Sequence, residues 1–292
     1  MLKGRNPHAS LSLIDELDLY NEIFSPPVQD APTLPAQDMK IAADIVRYPL
    51  LGYTPSHPHI SKLLTTNNEK YLAWLIAAMS PWKTQPVFPA DKKNTPAAAT
   101  AIKEGLKSPN VVTGAISKAF ANYEAIQNMA AGLKNWGRGR AGLEMRALGA
   151  DWKSQVGACL MFELVDLKKK NTSDYEEGVR RVMDKYETFL EAIAAKGLEE
   201  AFKVKSLLNV FPPLSSHDSG AVTNSWGDQG KDIATEYALA TGPWMKSTIE
   251  RSLEHQLDNP HKGKDELLQW VRENRQALLD GLEYVGVGKG KE

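Results

Sequence analysis

The spacing of apolar residues constrains the fold of this chain more than any other feature of its sequence. After Pro109, apolar side chains recur every three or four residues, at Val112, Ile116, Ala119, Phe120, Tyr123 and Ile126. This period predicts one helix of about 25 residues whose apolar face packs against a core. The same period recurs along most of the chain, and no segment alternates apolar and polar residues around hairpin turns. The sequence therefore predicts an all-α protein, an irregular array of many helices.

Proline marks where several of these helices should begin. Proline is tolerated in the first helical turn, and a polar or glycine residue suits the cap before it. Four dipeptides fit this pattern, and we predict a helix start at each of them: Asn6-Pro7, Thr95-Pro96, Ser108-Pro109 and Gly242-Pro243.

A long stretch rich in Ser, Gly and Pro indicates the main division of the chain. A loop of about 20 residues without structure is unusual inside a compact domain, so this stretch is either a boundary or an insertion. We expect a first part over residues 1–80, a helical body over 81–208, the loop or insertion over 209–230, a helical tail over 231–285 and a frayed end over 286–292.

Composition and charge exclude several kinds of partner and site. The net charge is −1, from 35 Lys and Arg against 36 Asp and Glu, so a nucleic acid would have to be held by a local basic patch. Cys159 is the only cysteine, which excludes an intrachain disulfide and a Cys-rich zinc site and fits a reducing compartment; we expect a buried, inert thiol. No apolar run approaches the ~20 residues of a membrane span, and no signal peptide is recognisable. We expect an intracellular protein with no membrane partner.

Familiar catalytic motifs are missing from the sequence. It contains no Gly-rich phosphate loop after a strand, no HExxH, CxxC or GxSxG, and no Asp-x-Asp pair for the magnesium of nucleotidyl transfer. His217-Asp218 is the dipeptide from which helical metal-dependent phosphohydrolases take two ligands, but it lies among Ser, Pro and Gly. The other histidines form no ligand-spaced set; they are His8, His57, His59, His255 and His261. We therefore expect no catalytic residue and no metal ligand, with the phosphohydrolase as a minor alternative.

Residues 132–154 carry the strongest local signal in the chain. Five cations stand there against two acidic residues, with Trp136 and Trp152 beside them; the cations are Lys134, Arg138, Arg140, Arg146 and Lys153. One guanidinium group can donate to two oxygens of a phosphate, and indole rings stack on bases or riboses. A structured RNA is therefore one partner that suits these residues. The residues alone leave a second interpretation open, in which Trp152 belongs to the core and the arginines form a solvated face.

Three stretches, in the same order, resemble class II tRNA nucleotidyltransferases, the CCA-adding enzymes. "MLKGRNPHASLSLIDELDLYNEIF" is similar to the segment that follows their catalytic head, and "AGLEMRALGADWKSQVGACLMFEL" resembles the body of the eukaryotic enzymes. "GKDIATEYALATGPWMKSTIERSLEHQLDNP" resembles the tail, where a turn of the pattern GPW leads into a helix ending in a pattern like QLDNP. The spacing of the three stretches resembles that of fungal members.

The resemblance implies that the two halves of the family's enzymes have different roles, with the chemistry in the half that precedes the part resembled here. Their metal-binding carboxylates and the residues that select CTP and ATP lie upstream of the position matching Met1. We therefore expect no nucleotide transfer by this chain alone; magnesium, CTP and ATP are implied only for the full-length family. Whether Met1 is a true start or an internal methionine of a longer protein stays open, as does the oligomeric state.

The resemblance also implies a partner, since the family's neck, body and tail hold the acceptor stem and elbow of tRNA by shape. Besides the 132–154 cations, we expect phosphate contacts from Lys231 and Lys246, which flank the Gly242-Pro243 turn, and from Lys3 and Arg5 beside Asn6-Pro7. No DNA is expected, and the cytoplasm, nucleus or mitochondrion is the implied location. The alternative is a helical scaffold with protein partners, favoured if the basic residues prove scattered around their helices.

Overall fold

A computed structural model describes residues 1–28, 31–52, 54–85, 88, 95–170, 174–204, 207, 231–239, 242 and 244–282. Helices supply the regular secondary structure of these residues, and no strand occurs among them. The all-α prediction is therefore confirmed. None of the helices in the described part is both long and apolar enough to cross a membrane.

The α-helices follow one another along the whole described chain. In order they are α1 (Pro7–Glu16), α2 (Tyr20–Phe24), α3 (Gln37–Ile45), α4 (Asn67–Ala78), α5 (Ala97–Glu104), α6 (Asn110–Ala121), α7 (Tyr123–Gly132), α8 (Arg138–Leu148), α9 (Trp152–Lys170), α10 (Tyr175–Ala195), α11 (Lys231–Tyr237), α12 (Trp244–Asp258), α13 (Lys264–Glu273) and α14 (Arg275–Leu279). A wider turn continues α3 over Val46–Leu50, and short 3₁₀ turns lie at Ile60–Lys62, Ser80–Thr84, Leu133–Asn135 and Ala201–Lys203.

A helix begins at each of the four predicted starts. Helix α1 begins at Pro7, and the Asn6 side chain accepts a hydrogen bond from Ala9 N at 3.2 Å, which satisfies one of the free N–H groups of the first turn. Helices α5 and α6 begin directly after Pro96 and Pro109. At the fourth position α12 begins at Trp244, and the preceding proline lies outside the described residues.

The prediction of a single long helix after Pro109 is wrong, because the helix is interrupted at Asn122. Helix α6 ends at Ala121 and α7 begins at Tyr123, because Asn122 between them has φ −89° and ψ 8°. The Asn122 amide donates to Gln155 Oε1 at 2.8 Å, so its side chain is engaged with α9. Asparagine side chains often compete with regular helix geometry in this way. The apolar period continues across the break, and for that reason the sequence does not reveal it.

The chain divides into two compact units. The first comprises residues 1–134 and 150–195, and the second comprises 135–149 and 196–292. This division differs from the boundaries expected from the sequence, because α8 packs on α12 within the second unit. The expected loop over 209–230 and the expected frayed end over 286–292 lie outside the described residues.

Helix α9 forms the centre of the first unit. It packs against α3, α4, α6, α7 and α10, and most of its residues from Trp152 to Val165 are buried. A helix that is apolar nearly all round requires such a position. Cys159 lies fully buried in this core, and burial raises the pKa of its thiol to about 12. The prediction of a buried thiol is confirmed.

The second unit has its own apolar core and one unusually close helix pair. Residues from α11, α12, α13 and α14 form the core, with Tyr237 stacked on Trp244 at a ring separation of 6.0 Å. Helix α8 approaches α12 through glycines. A Cβ added at Gly139 would overlap the Glu254 carbonyl oxygen, and one at Gly142 would lie 3.0 Å from a Leu257 methyl group. Glycine at these positions allows the two backbones to touch.

We expect Gly139→Ala to lower the free energy of unfolding by about 1 to 3 kcal/mol, because the new methyl group meets backbone that has little room to move. The matched control is Gly114→Ala in α6, where nothing lies within 4 Å of an added Cβ. Alanine is the better helix former, so this control should gain roughly 0.5 to 1 kcal/mol. Chemical denaturation followed by circular dichroism measures both. Equal effects of the two substitutions would contradict a close contact at Gly139.

Candidate nucleic-acid interface

The start of α8 is held by a carboxylate from α12. Gly139 N donates to Asp258 Oδ1 at 2.5 Å, although Gly139 and Asp258 are separated by 119 positions in the sequence. A carboxylate is well placed there, since the N–H groups of a first helical turn lack partners within the helix and the helix dipole is positive at this end. The contact fixes the segment that carries the arginines of the basic stretch.

Arg138 and Arg140 stand at this helix start in different environments. The Arg140 guanidinium lies 4.4 Å from the centre of the Trp136 ring and is otherwise exposed, so its N–H edge is free to meet a phosphate. Arg138 donates from Nε to Lys196 O at 2.9 Å, and its Nη1 is buried without a hydrogen-bond partner. Lys196 Nζ donates to Trp136 O at 2.9 Å and braces the same segment. The Arg140 guanidinium held on the Trp136 ring is the feature of residues 132–154 that most resembles a phosphate-binding site.

Arg146 does not have the position expected of a phosphate ligand. Its side chain is only 7 % exposed, and burial lowers the pKa of its guanidinium below the ordinary value. The Nη1 atom has no hydrogen-bond partner. The sequence predicts Arg146 as an RNA-binding residue because a charge pattern does not report burial. We therefore leave it out of the proposed surface.

The remaining cations of the stretch belong to the other unit. Lys134 is exposed in the turn after α7, and Lys153 is partly exposed with its Nζ 5.7 Å from the centre of the Trp152 ring. Trp152 itself is 4 % exposed and belongs to the core, as the second interpretation of the sequence held. The five cations are thus divided between two units, with one of them buried.

The predicted contacts near Gly242 are described only in part. Lys246 is exposed in the first turn of α12. Helix α11 begins at Lys231, but the side chain of Lys231 lies outside the described residues, as does Pro243. These two lysines stay predictions.

Lys3 and Arg5 lie on a groove of the first unit that the sequence did not predict. Two adjoining cavities of about 530 and 420 Å³ share Pro7, Leu51 and Trp74 in their walls, and we call them together the N-terminal groove. Lys3 and Lys70 line the larger cavity, and Arg5 and Arg47 line the smaller one. Both arginines and both lysines are exposed. Arg47 and Lys70 could not be assigned from the sequence, because only the fold brings them to the segment before α1.

No metal site is assembled by the histidines that the structure describes. His57 Nε2 lies 3.0 Å from Asp184 Oδ1, and His59 Nδ1 lies 2.6 Å from Glu187 Oε1, so each histidine is paired with one carboxylate of α10. Within the described ranges, no three His, Cys, Asp or Glu side chains come close enough to hold an ion. His217-Asp218 lies outside these ranges, so the phosphohydrolase alternative gains no support.

Three fungal proteins are similar to this chain. The tRNA nucleotidyltransferase cca1 of Schizosaccharomyces pombe is 22% identical over 288 residues, which cover 96% of this chain and 52% of that protein. The tRNA nucleotidyltransferase cca2 of the same yeast is 20% identical over 93% of this chain and 49% of its own length. Nucleotidyltransferase lcsQ of Purpureocillium lilacinum is 28% identical over 54% of this chain and 28% of that protein.

These similarities confirm the resemblance to fungal tRNA nucleotidyltransferases found in the sequence. The chain spans about half the length of the two yeast proteins that it matches. No family model matches the chain, and no solved structure matches it significantly.

We expect Arg146→Met to leave the free energy of unfolding unchanged within about 1 kcal/mol, or to raise it. Methionine keeps the length of the apolar stem and removes a buried charge whose Nη1 has no partner. Arg146→Ala is the control, because it removes both the charge and the stem and should cost roughly 2 to 4 kcal/mol through the cavity that it leaves. Urea denaturation compares the two variants. If methionine proved as destabilising as alanine, the charge itself would be stabilising.

Proposed function

We propose that this chain is the tRNA-binding portion of a CCA-adding tRNA nucleotidyltransferase and does not itself transfer nucleotides. The observation that carries the proposal is the similarity to two tRNA nucleotidyltransferases over 96% and 93% of this chain but only about half of theirs. The all-α fold and the missing Asp-x-Asp pair support the same assignment. Magnesium, CTP and ATP then belong to the rest of such an enzyme.

Binding of tRNA by this chain would use phosphate contacts rather than base readout. An A-form stem presents phosphates and 2′-hydroxyls across a wide, shallow minor groove, and positioned cations suit such a surface without reading sequence. Arg140 on Trp136, with Arg138 beside it, is the best positioned pair in the basic stretch. Because the net charge is close to zero, only a few phosphates would be neutralised, and the binding should be weak.

A helical scaffold with protein partners is the second candidate. One observation favours it: of the five cations of the 132–154 stretch, Arg146 is buried and Arg138 donates to the Lys196 carbonyl, so fewer of them are available to a phosphate. A scaffold would not require exposed, unpaired cations. The two candidates differ in their response to tRNA and to salt.

One prediction of this proposal concerns activity. The purified chain with CTP, ATP, magnesium and tRNA lacking its CCA end should add no nucleotide, because the sequence contains no Asp-x-Asp pair to hold the metal ions that align the 3′-hydroxyl and the triphosphate. Denaturing gel electrophoresis of labelled tRNA measures the addition. A heat-killed sample is the control, and templated addition of C or A above it would refute the proposal that the chain is inert.

A further prediction of this proposal concerns tRNA binding. Arg138→Ala with Arg140→Ala should weaken binding to every tRNA alike, by roughly tenfold or about 1.4 kcal/mol. The slope of log affinity against log salt should become shallower by about 1.4 to 1.8, since each lost phosphate contact removes roughly 0.7 to 0.9. Fluorescence anisotropy at several salt concentrations measures both quantities.

Two further variants make this test specific. Arg140→Ala alone removes the exposed guanidinium without breaking the Arg138 bond to Lys196 O, so it should account for much of the loss. Arg180→Ala with Arg181→Ala removes the same charge from exposed positions on α10 and should bind as the wild type does. Equal weakening by both double variants would indicate a general charge effect and would favour the scaffold.

A further inference from the structure

The N-terminal groove is a strongly charged concave surface, where Lys3 and Arg5, which the sequence predicts as phosphate contacts, lie together with two cations that the sequence did not indicate. Four cations line it, namely Lys3, Arg5, Arg47 and Lys70, and none of its lining residues is acidic. The whole chain has a net charge of −1, so a wall with four cations and no carboxylate is a local exception. Such a wall attracts an anionic ligand and raises its local concentration.

The four cations are not neutralised by neighbouring side chains. Many other lysines of the first unit are paired, as Lys169 is with Asp38 at 2.8 Å. Of the groove cations, only Lys3 has a described side-chain contact, and that contact is a ring: its Nζ lies 4.6 Å from the centre of Tyr71. The Asp44 carboxylate lies 2.8 Å from His8 Nε2 and adds one negative charge beside the groove. The four cations outnumber it, so a positive charge remains to act on a ligand.

The walls of the groove also suit the other parts of a nucleotide. Asn6, Asn67 and Asn68 contribute amide groups that both donate and accept hydrogen bonds. Tyr71 is partly exposed and is the aromatic ring that a ligand could reach, whereas Trp74 borders both cavities but is only 6 % exposed. Cations along a groove with aromatic and amide side chains are the usual combination in sites for single-stranded nucleic acid.

The size of the groove favours a single strand over a duplex. Cavities of about 530 and 420 Å³ are in the range that accepts molecules of nucleotide size, and they adjoin each other. A duplex stem presents its phosphates across a broad surface, whereas an unpaired strand can place single nucleotides in cavities of this size. The groove and the start of α8 thus suit different parts of an RNA.

We infer that the N-terminal groove binds single-stranded RNA through its phosphodiester backbone, with Arg5 and Arg47 in one cavity and Lys3 and Lys70 in the other. The inference rests on the proposed role in RNA binding and adds to it a second site with a different RNA class. A phosphate-bearing small molecule shares part of this chemistry, so the test includes free nucleotide and inorganic phosphate as separate probes.

The test uses a labelled single-stranded RNA of about eight nucleotides, a length in the range of known single-strand sites. Fluorescence anisotropy at low salt should show binding by the wild type. Arg5→Ala with Arg47→Ala should weaken it roughly tenfold and make the salt dependence shallower, because two phosphate contacts are lost. Arg180→Ala with Arg181→Ala, which removes the same charge elsewhere in the first unit, should leave the affinity unchanged. Circular dichroism confirms that each variant is folded.

Several outcomes would overturn the inference. They are an absence of binding by the wild type, equal affinity of the two double variants, and stronger competition by ATP or inorganic phosphate than by RNA at equal phosphate concentration. The last of these would identify a site for a small phosphate compound. Tyr71→Leu adds a second measurement, because it should weaken binding by removing the ring under Lys3, whereas Tyr71→Phe keeps the ring and should bind as the wild type does.

The same variants separate this inference from the proposed function. If the Arg5 and Arg47 variant binds the short RNA normally while the Arg138 and Arg140 variant loses affinity for whole tRNA, the groove is excluded and the proposed function stands. If instead the Arg5 and Arg47 variant loses affinity for the short RNA while the Arg138 and Arg140 variant binds whole tRNA normally, the groove is supported and the proposed surface at α8 is contradicted.

Discussion

The burial of α9 is the constraint on which the first unit depends. A helix surrounded by five others can be stable only if each polar group that it brings inside finds a partner. Gln155 meets the Asn122 amide, Glu163 accepts from the Tyr186 hydroxyl at 2.7 Å, and Asp166 lies 2.5 Å from Lys83 Nζ. These partners come from different elements, so the polar contacts of α9 link it to several of its neighbours; those of Gln155 and Glu163 lie inside, and that of Asp166 lies at the surface.

Much of this fold could be predicted from the sequence because its determinants are local. The period of apolar residues and the prolines before α1, α5 and α6 act within a few residues of the helices that they define. The break at Asn122 could not be predicted, since it involves Gln155 on another helix. The assignment of α8 to the second unit depends in the same way on Asp258 and on the glycines that face α12.

In the candidate sites, the sequence likewise did not reveal which charged side chains are buried and which are exposed. Arg140 and Arg146 stand in one helix and look equivalent in sequence, yet one is exposed on a tryptophan ring and the other is buried. Sequence reports that a charge exists, whereas only the fold reports whether solvent or a ligand can reach it. Arg47 and Lys70 illustrate the converse, because neither belongs to a basic run and both lie with Arg5 around one concave surface.

The carboxylate of Asp258 at the start of α8 has a consequence for how this protein can diverge. Gly139 permits the backbones to touch, and Asp258 accepts the N–H group that this approach brings to it. A side chain larger than glycine would push the carboxylate away, and a loss of the carboxylate would leave the close approach without its hydrogen bond. The two positions are therefore energetically coupled, so the cost of replacing one depends on whether the other has already been replaced.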